Sequence, residues 1–260
     1  MKKIILRVLA ASIAFVIIGV LFTFTSAFVG NPVSKAIATH KINAYVEKNF
    51  NDMDLSLTKT TYNFKDSGYY AKAQSKTSID THFHVSYSNG KVTDTYKEDV
   101  LGGFNTYIRL DQEFNDIIES LIEKNLSYEY DMIIAELSKG IDLITNILPL
   151  DMELDTKHLP VDGSITVYLY SEDISWENVA KVSLELDQLM KTNDIKIKQY
   201  SVILEPKSEI ERKNGESKGI YDFPAEMLTQ DNLPSVMEKY FMEWEKAGEK
   251  EKNAEMNSVK

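Results

Sequence analysis

A run without a single charge, Val8 to Val29 (VLAASIAFVIIGVLFTFTSAFV), constrains this chain more than any other feature. As a helix rising about 1.5 Å per residue it reaches about 33 Å, and the hydrocarbon core of a bilayer is about 30 Å thick. Lys2, Lys3 and Arg7 stand in front of it. Basic residues stay on the cytoplasmic side, so everything after Gly30 is expected outside the cell membrane. Val8, Ile17, Ile18 and Val29 mark the expected single-pass anchor, and Lys2, Lys3 and Arg7 set its orientation. The competing reading is a secretory signal peptide cut near Ala27, after Thr25-Ser26-Ala27, which would release the body. The run exceeds the usual signal core of about 7–15 residues and Thr25 fits a cleavage site poorly, which favours the anchor. Both readings export the rest of the chain.

Composition narrows what the exported part can be. At 43% hydrophobic residues the chain can build real cores. With Lys2, Lys3 and Arg7 set aside, 26 Lys and Arg face 40 Asp and Glu, a net charge of −14 against −11 for the whole chain. Such a body has no electrostatic footprint for nucleic acid, so no nucleic-acid partner is expected, and its overall charge disfavours close binding to an anionic lipid face. The absence of cysteine excludes disulfides, cysteine nucleophiles and thiolate metal sites. An exported chain without cysteine also suits a bacterium better than a eukaryotic secretory pathway.

The periodicities predict an α+β fold: one transmembrane helix followed by two small units of antiparallel sheet packed with helices. Residues 1–29 form the cytoplasmic tip and anchor. In residues 30–126, Asn31 caps a helix from Pro32 to Asn49 with Pro32 at its first position. Four strands follow, beginning with Leu55 to Phe64. Tyr69, Ala71 and Ala73 alternate with polar residues, as do Phe83, Val85 and Tyr87. Asn89-Gly90 makes a tight hairpin turn, because both positions tolerate positive φ. After Gly102-Gly103, the stripe Leu110, Phe114, Ile117, Ile118, Leu121 and Ile122 predicts a helix that closes this first unit.

Residues 127–247 are expected to form the second unit. Ile133, Leu137, Ile141, Ile144 and Leu148 read as a helical stripe, and Met152 and Leu154 as a strand alternating with acids. Asp162-Gly163 reads as a hairpin turn before the strand Ile165, Val167 and Leu169. Ser175 caps a helix striped by Val179, Val182, Leu186, Leu189 and Met190, and a strand runs from Lys198 to Glu205. Pro206 to Gly219 reads as a polar loop. A last helix opens at Pro234 and carries Met237, Tyr240, Phe241 and Trp244 on one side. The charged tail, residues 248–260, is expected to fray.

The anchor, Gly30-Asn31-Pro32, the run Tyr62-Asn63-Phe64-Lys65-Asp66-Ser67-Gly68-Tyr69-Tyr70, the Asn89-Gly90 hairpin and Asn105-Thr106-Tyr107-Ile108-Arg109-Leu110 together resemble the YfjL-like proteins of Gram-positive bacteria. The likeness is clearest over residues 1–125, and the remainder resembles that family's C-terminal portion. It implies a membrane-anchored, exported protein in two parts, in a family of uncharacterised molecular function, and it supplies no catalytic residues.

Chemistry-bearing patterns are few. His82 and His84, two apart on a strand, project from one face with Asp80 in line, an arrangement that can offer ligands to a transition metal. The opposite face, with Phe83, Val85 and Tyr87, carries the apolar residues, so the histidine face also reads simply as the solvated one. Asp151, Glu153 and Asp155 form an acidic row suited to acid–base work or Ca²⁺ binding, or simply to blunting a sheet edge. Ser88-Asn89-Gly90-Lys91 matches the Ser-x-x-Lys pattern, but on a hairpin tip and without its partner motifs. The aromatics Tyr62, Phe64, Tyr69, Tyr70 and Tyr107 suit sheet packing better than a ligand groove. The expectation is therefore a non-enzymatic binding module of the cell envelope with an unidentified envelope partner and no cofactor. A hydrolase using paired carboxylates and a metal sensor at Asp80, His82 and His84 are the alternatives.

Overall fold

A computed structural model describes residues 2–137, 148–213 and 216–258 of the 260. Helix α1 (Lys2–Val29) ends at Gly30, whose φ of +80° is a left-handed conformation that a Cβ would penalise. Helix α2 (Pro32–Asn49) starts immediately after. The Asn31 Oδ1 accepts from the backbone N–H of Val33 at 2.8 Å and of Ser34 at 3.3 Å, and Pro32 takes the first turn, as the sequence predicts. The buried face of α2 is Ala38, Ile42 and Val46.

The first sheet has five strands, all antiparallel: β1 (Leu55–Leu57), β2 (Thr61–Asn63), β3 (Gly68–Ser75), β4 (His82–Ser88) and β5 (Lys91–Asp94). The single strand expected over 55–64 is two short ones, both paired to β3. Ala71, Ala73, Phe83 and Val85 point inward and pack with Ile42, Val46 and Val100. The rings of Phe50, Phe83 and Tyr96 lie 4.8–5.1 Å apart, the spacing of tilted and edge-to-face aromatic pairs. Asn89 and Gly90 take φ of +51° and +79°, as a tight hairpin turn requires. One π-helical turn, Lys97–Leu101, then leads to helix α3 (Phe104–Asn125).

The chain divides into two compact units, one reaching Thr106 and including Pro149–Asp151, the other formed by Tyr107–Leu148 and Met152 onward. The helix expected to close the first unit therefore belongs almost wholly to the second, and the boundary expected at residue 126 falls near 106. Leu110, Phe114, Ile118 and Ile122 are fully buried in the second core. An amphipathic stripe states that a face is covered, not which sheet covers it.

The second sheet runs β6 (Glu129–Leu137), β7 (Gly163–Tyr170), β8 (Ile197–Glu205) and β9 (Lys218–Pro224) in that order. It is mixed rather than antiparallel: β7 and β8 are parallel, and helix α4 (Trp176–Thr192) connects them. The Ser175 Oγ caps α4 by accepting from the backbone N–H of Asn178 at 3.2 Å. β6 replaces the helix expected at Ile133 and Leu137. Residues four apart share a face in a strand as well as in a helix, and here Ile133, Ala135 and Leu137 are all buried. Ile141 and Ile144 lie outside the described residues.

As an edge strand β6 presents unpaired backbone groups, and α3 covers two of them. The Asp111 Oδ1 accepts from the Leu137 N–H at 2.7 Å and the Asn115 Oδ1 from the Ala135 N–H at 2.9 Å. Gly163 opens β7 instead of turning a hairpin. A Cβ there would meet Phe114 at 3.1 Å and Leu159 at 3.2 Å, so the glycine permits close packing. Met152 and Leu154 form no strand and pack against the core from an irregular segment. The expected polar loop contains a short helix, α5 (Glu209–Lys213). Helix α6 (Leu233–Ser258) continues beyond the point where the tail was expected to fray. Its Tyr240 and Phe241 pack on the core, while Trp244 stacks on Tyr221 at 4.9 Å and stays half exposed.

Candidate functional site

Asp80, His82 and His84 are not brought together as a ligand set: among the described residues, no three His, Asp or Glu side chains are placed to hold a metal ion. Asp80 is 1% exposed and committed to a polar clasp. Its backbone N–H donates to the Asp151 Oδ1 at 2.8 Å, its own Oδ2 accepts from the Asp151 N–H at 3.1 Å, and the Ser78 hydroxyl donates to the same Asp151 Oδ1 at 2.9 Å. The Asn105 amide donates to the carbonyls of Asp80 and His82 at 2.9 and 2.6 Å. These bonds satisfy buried backbone groups where the chain turns. His82 and His84 lie on the face opposite the buried Phe83 and Val85. Burial, and then the charge of Lys72, hold the His82 imidazole below its ordinary pKa.

The acidic row does not form a carboxylate pair. Asp151 takes a φ of +58° inside the clasp. Glu153 is exposed. Asp155 is also exposed and binds the His158 Nδ1 at 2.8 Å, the hydrogen bond that chiefly lowers its pKa. Ser88 and Lys91 flank the β4–β5 turn, as expected.

The second unit carries a concavity. An open groove of about 780 Å³ runs along the outer face of α4 between the end of α3 and the 3₁₀ turn Ala225–Thr229. Leu126, Leu184, Leu189 and Leu228 give it an apolar lining, while Glu185, Gln188, Lys191 and Thr192 supply polar groups. Behind them Asp187 is only 8% exposed, paired to the Lys191 Nζ at 2.6 Å and within 3.4 Å of the Tyr200 hydroxyl. Glu185 accepts from the Tyr128 hydroxyl at 2.5 Å. The nearby Tyr130 hydroxyl is buried without a hydrogen-bond partner among the described residues. The groove offers apolar contact and a few oriented polar groups, the make-up of a binding surface. The sequence carried one sign of it: Leu184 falls off the buried stripe of α4 and is 44% exposed.

The phenols give this protein an alkaline limit. Burial, reinforced by Glu185 and Glu123, pushes Tyr130 from 10.0 to about 12. The hydrogen bond to Asp94, reinforced by burial, pushes Tyr45 from 10.0 to about 12. The folded state thus favours the neutral phenol. The stabilisation is intact below pH 10 and is lost as pH rises toward about 12. The melting temperature is expected to fall through that window. Tyr130→Phe should flatten the fall and raise the neutral-pH melting temperature by removing an unsatisfied buried hydroxyl. Thermal melts of both proteins at stepped pH check this.

A leading apolar helix and two α+β units, the second bearing an open groove, define a two-domain α+β protein. The model of the YfjL-like N-terminal domain matches residues 2–96, and that of the YfjL-like C-terminal domain matches residues 113–238. The chain belongs to the YfjL-like family. A crystal structure of a DUF5037 family protein from Ruminococcus gnavus ATCC 29149 aligns over 76% of this chain and 86% of that one, at 14% identity and a TM-score of 0.20, too low to bear on fold or function. No curated protein matches the chain.

Proposed function

We propose that this chain is a single-pass membrane protein with its N-terminus in the cytoplasm, whose two α+β units act outside the membrane by binding an envelope partner through the α4 groove. The observation that carries the tethered reading is α1. Its span Lys3–Ser26 is long and apolar enough to cross a bilayer, and none of it is buried in the protein. A helix that exposes Ile, Leu, Val and Phe on every side is costly in water and at home in lipid. The groove supports binding over catalysis, because its acids are engaged by Lys191 and Tyr128 rather than converging on one point. Its leucines suit a partner segment that is apolar on one side.

The cysteine-free sequence makes the test direct. Lys3→Cys and Leu184→Cys variants are treated with a membrane-impermeant maleimide on intact cells. Labelling is expected at 184 and, at 3, only after permeabilisation. The mature chain is expected to retain α1 by mass. A photo-crosslinking residue at Leu184 should then capture a partner that one at the exposed Glu177 does not. Body labelling that requires permeabilised cells, or a mature chain beginning near Ala27, overturns the tethered reading. Equal capture at both positions overturns the groove.

A further inference from the structure

The junction between α1 and the first unit is clamped. Gly30 lies so close to Tyr62 that a Cβ would stand 2.7 Å from its ring. The Tyr69 hydroxyl accepts from the Asn31 N–H at 3.0 Å and donates to the Asn31 carbonyl at 3.2 Å. Tyr69 is the second residue of β3, and it pairs with Tyr62 of β2 and Tyr87 of β4. The β2–β3 turn and the β4–β5 turn therefore share the sheet end that receives α1. The loop from Lys76 to Thr81 lies at the opposite end.

Exposed apolar side chains gather at that end, beside a turn that also carries Lys65 and Asp66, the latter accepting from the Tyr70 hydroxyl. The Phe24 and Phe28 rings are 5.0 Å apart, and Phe28 continues to Phe64 of the β2–β3 turn at 6.1 Å. Phe64 is 55% exposed. Val29, Val33 and Ile37, all within two helical turns of the junction, are also exposed. Lys65 and Lys91 sit on the two turns, and both are exposed. An apolar ring beside a long basic side chain is what interfacial segments present: the ring enters the boundary between headgroups and acyl chains, and the ammonium reaches water or phosphate.

We infer that the β2–β3 turn, through Phe64 and Lys65, seats in the headgroup layer of the bilayer that α1 spans, so that the first unit stands on the membrane with this sheet end down. The apolar surface is continuous with the spanning helix through Phe28, which identifies the occupant as that same lipid. The inference rests on the tethered reading and fixes the body's orientation within it.

The full chain is reconstituted in nanodiscs of phosphatidylcholine and phosphatidylglycerol, with a nitroxide high on the acyl chain. Bimane is attached to one of three single-cysteine variants: Ser67→Cys on the β2–β3 turn, which leaves Phe64 and Lys65 in place, Thr77→Cys at the opposite end of the sheet, and Ile17→Cys in α1. Bimane at 67 is expected to shift to the blue and lose fluorescence to the nitroxide, bimane at 77 to do neither. Adding Phe64→Asp to Ser67→Cys should abolish the quenching without lowering the melting temperature. Quenching at 17 with none at 67, or equal quenching at 67 and 77, overturns the seating while leaving the anchor standing. Absence of lipid quenching at 17 overturns the anchor itself.

Discussion

Phe114→Ala is expected to destabilise the second unit by about 3–5 kcal/mol, a large part of the stability of an ordinary domain. Phe114 is fully buried, and its ring stands against the bare α-carbon of Gly163 at the start of β7. Glycine has no side chain to move into the space the ring leaves, so the cavity should persist and the cost should fall in the upper part of that range. Ile117, three residues on and 45% exposed, is the control: Ile117→Ala should change stability by about 0.5 kcal/mol or less. Urea unfolding followed by tryptophan fluorescence reads both, since Trp176 and Trp244 report on the second unit. A Phe114→Ala loss no greater than that of Ile117→Ala would remove α3 from the second core.

The second large effect concerns the leading helix. Replacing Ile17 and Ile18 together with arginine exchanges two residues that favour a spanning helix by about 0.3–0.6 kcal/mol each for two that oppose it by about 2.5–3.5 each. The difference approaches 6–8 kcal/mol, enough to reverse insertion. The double variant is expected to leave the carbonate-resistant membrane fraction, whereas Ile17→Leu with Ile18→Leu is expected to stay. A double arginine variant that still resists carbonate extraction would show that this segment is not what holds the protein to the membrane.

Local chemistry made much of the fold legible. Asn31 with Pro32, Asn89 with Gly90, and Ser175 each carry a backbone instruction readable from a few neighbouring residues, and each appears in the structure as the sequence predicts. What was not legible required knowledge of partners. Ile133 and Leu137 satisfy both a helical and a strand period, and only burial of Ala135 between them decides for β6. The alternation of Ile165, Val167 and Leu169 encodes a buried face but says nothing of strand direction, so the parallel pairing with β8 was invisible. Asp80 looked like a ligand because it was read with His82 and His84, whereas the residue it engages, Asp151, lies far along the chain. The groove was hidden for a similar reason. Leu126, Leu184 and Leu228 are single leucines in three separate segments, and only the fold brings them to one concavity.

The placement of β7 and β8 side by side, running the same way at the middle of their sheet, has a consequence for how the polypeptide assembles. Every strand pair of the first sheet is antiparallel and lies between Leu55 and Asp94, so it zips from nearby turns. The central ladder of the second cannot start from a turn: its strands meet only after the chain has doubled back through α4. A polypeptide released from its N-terminal end thus has its first sheet complete at Asp94, while the central ladder of the other must wait for Glu205 and its last strand for Pro224. During that interval the edge of β7 that β8 will pair stands open, and any holdase or premature self-association would act there first.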